Sequence, residues 1–399
     1  MDLAYVSPLP PIQSGVADYG AALLPHLRPH FEQMIAVVKG YTPRLPPQSV
    51  DAVYDADQNT DWWQGGRVVP LYHMGNHIRY HHYIYKALQR FPGITVLHDG
   101  NLLPFIHGLT LTCGQNADFV REAGFERGRA GIVAAWNSMQ HAQPLDPHEY
   151  PMLARVVRSS LGVIVHNQYL RDRVREVCPA ARVAVIPLLD MTTPEPAMFS
   201  RHHLTGSLGL DHDNLLIGAF GFIAPSKRLD QALRAFARIQ VSFPQARFLC
   251  VGQMSPGYDL EATLTDLDLK SSVRVTGYVS EDVFTSLLHA VDVGINLRYP
   301  TWGESSASLI SLLASKVPTI VTNAGAFAEL PDEAVLKVSM GEGEVDAIEI
   351  ALRELLSNAD KRATIGSQAR QYVVDQCQPA QIANQYAAFI RSIVCASST

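Results

Sequence analysis

Short apolar and β-branched runs alternate along the chain with segments of helical periodicity, and the whole alternation occurs twice. The first half holds LAYVSP, QMIAVVKG, VVPLYHMGN, GITVLHDG, LGVIVHN and RVAVIPL, with YGAALLPHL, YHHYIYKALQRF and QYLRDRVREV between some of them. Strands that alternate with helices of this length build βαβ units, whose parallel sheets are covered on both faces. After LLDMTTPEPAMFSRHHLTGSLGLDHDN, a stretch rich in Pro, Thr, Ser and His, the pattern restarts with LLIGAFGF, LDQALRAFARIQ, ARFLCVG, DLEATLTDLDL, VRVTGYV, DVFTSLLHA, VDVGINL and PTIVTN. With 399 residues the chain can hold two such domains, each with its own core. The reading gives one α/β domain over residues 1–195, a second over 196–378, and a C-terminal helix over 379–399 that could pack on either. Doubly wound sheets bind ligands at the carboxyl ends of their strands, so the chemistry is expected in the loops after the strands, in a cleft between the domains.

The formal charge of −6 argues against a nucleic-acid binder, which would carry a net basic footprint. Five scattered cysteines without a C-x-x-C pair suit a reducing cytoplasm better than a disulfide framework or a zinc site. The start MDLAYVSPLPP meets prolines before any apolar region, and no apolar run approaches the roughly 18 residues of a membrane span. The expectation is a soluble cytoplasmic protein that handles small molecules or glycans.

Several loops could carry that chemistry. In SPLPPIQSGVADYG, Gly15 precedes a helix start, where backbone can approach an anion and free N–H groups receive it. A plain turn glycine followed by Asp18 as a first-turn acid is the alternative. In GAFGFIAPSKRLDQALRAF, Lys227 and Arg228 lie between a strand and an amphipathic helix, where they could neutralise a phosphate, since cations are disfavoured at a helix start; solvated cations are the alternative. In YPTWGESSASLISLLASKVPTIVT, residues Gly303 to Ala307 read as a helix start without bulky side chains, suited to a diphosphate, while Glu304 would face hydroxyls; an ordinary Ser/Glu cap is the alternative. GITVLHDGN ends a buried strand with the titratable pair His98-Asp99 directed into the cleft; a satisfied core histidine is the alternative. His73, His77 and His81 have helical spacing, but His73 reads as strand, and the D-x-D pairs at Asp55/Asp57, Asp211/Asp213 and Asp266/Asp268 follow no convincing strand end; no metal site is expected.

Taken together, SPLPPIQSGVADY, HMGN, VLHDGNL, VHNQYLRDRV, GFIAPSKR, VTGYV and GESSASLISLLASKVPTIVTNAGAFAELPD resemble glycosyltransferase family 4, retaining enzymes of the GT-B fold that need no catalytic metal. The resemblance implies two Rossmann-like doubly wound domains facing across a cleft. It implies that Gly15 approaches the donor diphosphate, that Lys227, helped by Arg228, balances its charge, and that the Ser305, Ser306 and Ala307 amides hold the distal phosphate. His98 would lie beside the transferred sugar, Glu304 would touch its hydroxyls, Tyr278 and Val279 would border the base, and Glu329 would close that wall. Asp18, Tyr19, Asn76 and Asp99 are assigned to the acceptor side. Two positions depart from the family. Phe222 stands five residues before Lys227, where an Arg is usual. Ser311 stands seven residues before Pro318, where a second Glu often binds ribose, and the first Glu of that pattern would fall on Gly303, with Glu304 displaced by one. The branch with GE(S/T)S is often met in exopolysaccharide and O-antigen assembly.

The expectation is metal-independent, cofactor-free transfer of a hexose from a nucleotide diphosphate sugar, UDP-glucose before GDP-mannose, to a glycan or lipid-linked glycan, with domain closure excluding water. Alternatives on the same architecture are a sugar phosphorylase, a nucleotide-sugar epimerase, or a nucleotide-sugar-binding protein with a decayed site. Arg121, Arg127 and Arg129 would meet an anionic membrane surface if the protein acts peripherally at the inner membrane face, and are otherwise a solvated helix face.

Overall fold

The computed structural model describes residues 1–58, 68–192 and 198–397. It divides into two compact units. The first comprises Met1–Leu189, Trp302–Ser305 and Pro379–Thr399, and the second Asp190–Thr301 and Ser306–Gln378. The expected boundary between residues 195 and 196 lies outside the described residues.

The first unit carries a seven-stranded parallel sheet. Its strands are β1 (Asp2–Val6), β2 (Met34–Val38), β3 (Ala52–Asp55), β4 (Val68–Met74), β5 (Ile94–Leu97), β6 (Gly162–Val165) and β7 (Val183–Val185), in the order β3-β2-β1-β4-β5-β6-β7. The strand order reverses between β1 and β4, so the loops after these two strands flank the crevice where doubly wound sheets bind ligands. The helix Pro379–Ser397 packs on Gly15–Leu27 within this unit, and Tyr19 and Tyr386 join the two through a buried hydroxyl pair at 2.7 Å.

The second unit has a six-stranded parallel sheet of β8 (Leu215–Phe220), β9 (Ala246–Val251), β10 (Val273–Gly277), β11 (Val293–Asn296), β12 (Thr319–Thr322) and β13 (Val335–Val338), ordered β10-β9-β8-β11-β12-β13. Alternate residues feed opposite cores: Ile217 and Ala219 of β8 and Phe248 and Cys250 of β9 enter one, Leu216, Phe220, Leu249 and Val251 the other. Burial on both faces is why these strands read as continuous apolar runs. It also pushes the Cys250 thiol up to about 12.

Three carboxyl ends in this sheet meet on glycine. Gly221, Gly252 and Gly277 all have positive φ, and a Cβ on Gly252 would lie 2.0 Å from the Gly221 carbonyl oxygen. Gly252→Ala is therefore expected to cost about 3 kcal/mol or more through strain and displacement of the Gly221 loop. Thermal unfolding of the variant reads this directly, and an unchanged midpoint would refute it.

The sequence reading missed several helices. Arg201–Ser207 lies inside the stretch taken for a linker: Ser200 caps it, accepting from the His203 amide, and Arg201 is held by Asp292 at 2.8 Å. Asn116–His141, of which only the stretch with Arg121, Arg127 and Arg129 was read as a helix face, is two helical pieces joined at Arg127 and Gly128, the latter at φ 59, so those arginines do not share one continuous face. Among the described residues, no helix is long and apolar enough to cross a membrane.

Candidate functional site

In the second unit, β8 ends at Phe220 beside β11, at the point where the strand order reverses. The chain then turns through Gly221 and Phe222 into a short 3-10 helix, Pro225–Lys227, and the amphipathic helix Leu229–Ile239. A recess here is lined by Phe220, Gly221, Phe222, Ile223, Lys227 and Ile295 among others, so the half-buried Lys227 sits against a largely apolar wall. A cation beside low-dielectric surface attracts a phosphate more strongly than one in open water. Phe222 is 54% exposed at the rim.

Arg228 does not share that role in this structure. In left-handed backbone at φ 51, it grips Glu344 with two hydrogen bonds, one from Nε to Oε1 at 2.6 Å and one from Nη2 to Oε2. The Glu344 side chain is 3% exposed, so withdrawing the guanidinium toward a diphosphate would strand a buried carboxylate. The partnership raises the Arg228 pKa above its ordinary value. The expected helper of Lys227 is thus a structural cation.

The helix behind the third loop is shorter than its sequence suggests. It runs over Ala307–Ala314, with Ser306 as N-cap accepting from the Leu309 amide. Gly303, Glu304 and Ser305 precede it and belong to the first unit. There Asn167, which caps the helix Gln168–Val177, donates to the Gly303 carbonyl at 2.7 Å and to Ser305 Oγ at 3.2 Å. Glu304 Oε2 accepts from the Trp302 amide at 2.6 Å. Only Ser306 and Ala307, of the five residues read as one helix start, form it. Ser311 hydrogen-bonds back to the Ala307 carbonyl at 3.2 Å, the usual fate of a serine inside a helix. Tyr278 is 69% exposed just after β10, Val279 packs partly into a core cluster, and Glu329 is the exposed last residue of a 3-10 turn whose Phe327 is buried.

In the first unit, Ser14 caps Gly15–Leu27 and leaves Gly15 and Asp18 exposed on its first turn. His98 follows β5 directly, but its partner is not Asp99. Asp99 accepts from Asn76 Nδ2 at 2.6 Å, whereas the half-buried His98 ring lies between two other imidazoles. His73 Nδ1 is 3.0 Å from His98 Nε2, and His166 Nε2 is 3.2 Å from His98 Nδ1. His166 Nδ1 lies 3.0 Å from the Ile186 carbonyl oxygen. Tyr19, assigned from sequence to the acceptor side, is 1% exposed and packs on all three rings at centroid distances of 5.3 to 5.9 Å. It cannot touch a bound molecule without leaving the core.

Burial lowers the basicity of the whole cluster: His73 and His98 fall well below the ordinary histidine value, and His166 falls to about 4. His166 was missed from sequence, yet a signal exists. The runs ITVL and GVIV are each followed at once by His, and β5 and β6 pair in register from Ile94 with Gly162, which brings His98 opposite His166. Of the spaced histidines, His73 is on β4, His77 stands at the N-cap position of Ile78–Arg90 without a side-chain capping bond, and His81 sits on that helix, its Nδ1 2.9 Å from the His77 carbonyl oxygen.

Residues 201–372 match the family model described as glycosyl transferases group 1. A comparison with curated protein sequences gives no match. Among solved structures, sucrose-phosphate synthase from Thermosynechococcus elongatus is similar, with 16% identity over 99% of this chain and 100% of that one and a TM-score of 0.67. Anabaena HepE in complex with UDP-glucose is similar at 16% identity, over 98% and 100% of the two chains, with a TM-score of 0.67. WaaG, a glycosyltransferase involved in lipopolysaccharide biosynthesis, aligns at 14% identity over 97% and 99%, with a TM-score of 0.61. The chain therefore has the GT-B fold, two Rossmann-like α/β units with parallel sheets, and most of its second unit matches the group 1 glycosyl transferases.

Proposed function

We propose that the protein is a metal-independent, retaining hexosyltransferase of glycosyltransferase family 4, acting in the cytoplasm in polysaccharide biosynthesis. It moves a hexose from a nucleotide diphosphate sugar, UDP-glucose before GDP-mannose, to a glycan or lipid-linked glycan. The observation that carries this reading is the match of residues 201–372 to group 1 glycosyl transferases, a segment that includes Lys227 and the Ser306-capped helix start. The similarity to HepE, whose structures hold UDP-glucose or UDP with glucose, supports a uridine donor, and that to WaaG supports a glycan acceptor.

In this reading the second unit binds the nucleotide and the first unit the acceptor. As the bond between the anomeric carbon and the phosphate oxygen breaks, negative charge grows on the diphosphate, where Lys227 and the Ala307 helix start lie ready to balance it. The acceptor hydroxyl attacks the anomeric carbon on the same face, and its proton passes to the departing phosphate. His98 and Glu304 line the transferred sugar.

A panel of nucleotide sugars read by thermal shift tests the donor: at ~100 times its dissociation constant the true donor adds about 2.7 kcal/mol. Incubation with glycan acceptors is then expected to yield free nucleoside diphosphate and a new glycosidic bond. Sugar 1-phosphate as product would establish a phosphorylase instead, and donor binding without turnover on any acceptor would leave a binding protein. Activity lost in EDTA and restored by manganese would overturn metal independence.

A further inference from the structure

The three imidazoles at the carboxyl ends of β4, β5 and β6 form one directed chain. At its end stands the Ile186 carbonyl, which can only accept, so His166 Nδ1 must carry a proton and donate. A neutral His166 then has a bare Nε2, which can only accept from His98 Nδ1–H at 3.2 Å. That leaves His98 Nε2 bare, accepting from His73 Nδ1–H at 3.0 Å. The chain ends on His73 Nε2, a buried atom without a hydrogen-bond partner among the described residues, in a ring that lies against that of Tyr5 at a centroid distance of 4.3 Å. Reversing the direction would set a lone pair of His166 against the lone pairs of the Ile186 oxygen. A protonated ring here would be a buried cation among Tyr5, Tyr19 and neutral imidazoles. One carbonyl thus dictates three tautomers.

We propose that His166 and His73 are positioning residues for His98, holding it as a neutral ring in the Nδ1–H form with both nitrogens engaged, so that it meets a bound sugar with its carbon edge and not with an N–H. The effect on turnover rests on the glycosyl-transfer reading above; the tautomers do not. His98 then shapes the sugar pocket and neither donates to the sugar nor takes its proton.

The test is nitrogen NMR on the full chain with 15N-labelled histidine at pH 7, with each ring assigned through its single variant. Proton-bearing Nδ1 and bare Nε2 on all three residues is the expected result. An Nε2–H form of His98, or a charged ring in the cluster, would overturn the proposal. His166→Gln keeps an amide donor for Ile186 and an amide oxygen for His98, and is expected to preserve the His98 tautomer. His166→Leu removes that acceptor, and His98 is expected to populate the Nε2–H form. In sugar transfer, His166→Leu should lower kcat by up to about 100-fold, with the donor KM within twofold and His166→Gln restoring most of the loss. Equal activity of the two variants would sink the positioning role. A wild-type protein that transfers no sugar would defeat the proposed function and leave the tautomer result standing.

Discussion

Lowering the pH from 7 to 5 is expected to destabilise the first unit steeply. Unfolded, each of its histidines titrates near 6.5. Folded, His81 and His166 titrate near 4, and His73 and His98 well below 6.5, because burial penalises their charged forms. Between those values the unfolded chain binds protons that the folded chain does not, so stability is complete above about 6.5 and falls as pH drops toward 4. For a ring displaced from 6.5 to about 4, the loss between pH 7 and pH 5 is ~2 kcal/mol, for His81 and for His166 alike. Glu126 acts in the opposite sense, since burial raises its carboxyl and acid relieves that cost. Thermal unfolding followed by circular dichroism at pH 7, 6 and 5 measures the balance. A midpoint that stays level across that range would mean that these rings reach water and would remove the buried cluster from the account.

Lys227→Ala is expected to lower turnover by about 100- to 1000-fold, the loss seen when one preorganised group facing a developing oxyanion is removed, roughly 3 to 4 kcal/mol of barrier. The loss should fall mainly on kcat, because the charge on the leaving diphosphate grows toward the transition state. Its neighbour should behave differently. Arg228→Ala leaves the buried Glu344 carboxylate without its fork, which costs about 3 to 5 kcal/mol of stability. Kinetics and melting of the two variants side by side separate the roles. Turnover by Lys227→Ala within threefold of the parent protein would end the assignment of Lys227 to the diphosphate.

The Arg228 contrast shows where sequence reading reaches its limit. Two adjacent cations before a helix look alike in a string of letters; Glu344 lies 116 residues further on, and only the packing of two helix starts brings it to Arg228. Ser305 and Ser306 repeat the lesson. They are neighbours of the same type, yet Ser306 caps a helix of the second unit while Ser305 bonds Asn167 of the first. The inner strands were legible because parallel sheets buried on both faces demand unbroken apolar runs, whereas the part-exposed edge strands β3 and β13 were not read. The extent of the helix Asn116–His141 was not legible, because its kink at Gly128 divides the repeat.

By itself the sequence determined the fold class, two α/β units with parallel sheets, and pointed to the loops after the strands as candidate places for chemistry. Both are consequences of local periodicity and of the rule that such sheets expose their carboxyl ends. Only the tertiary structure decided which polar side chains in those loops remain open to a ligand. It tied Arg228 to Glu344, buried Tyr19 beneath Tyr386, and threaded His98 between His73 and His166. Each pairing joins residues distant in sequence, and within the histidine chain the hydrogen-bond direction is set by the Ile186 carbonyl, on a neighbouring strand's extension, that no local pattern announces.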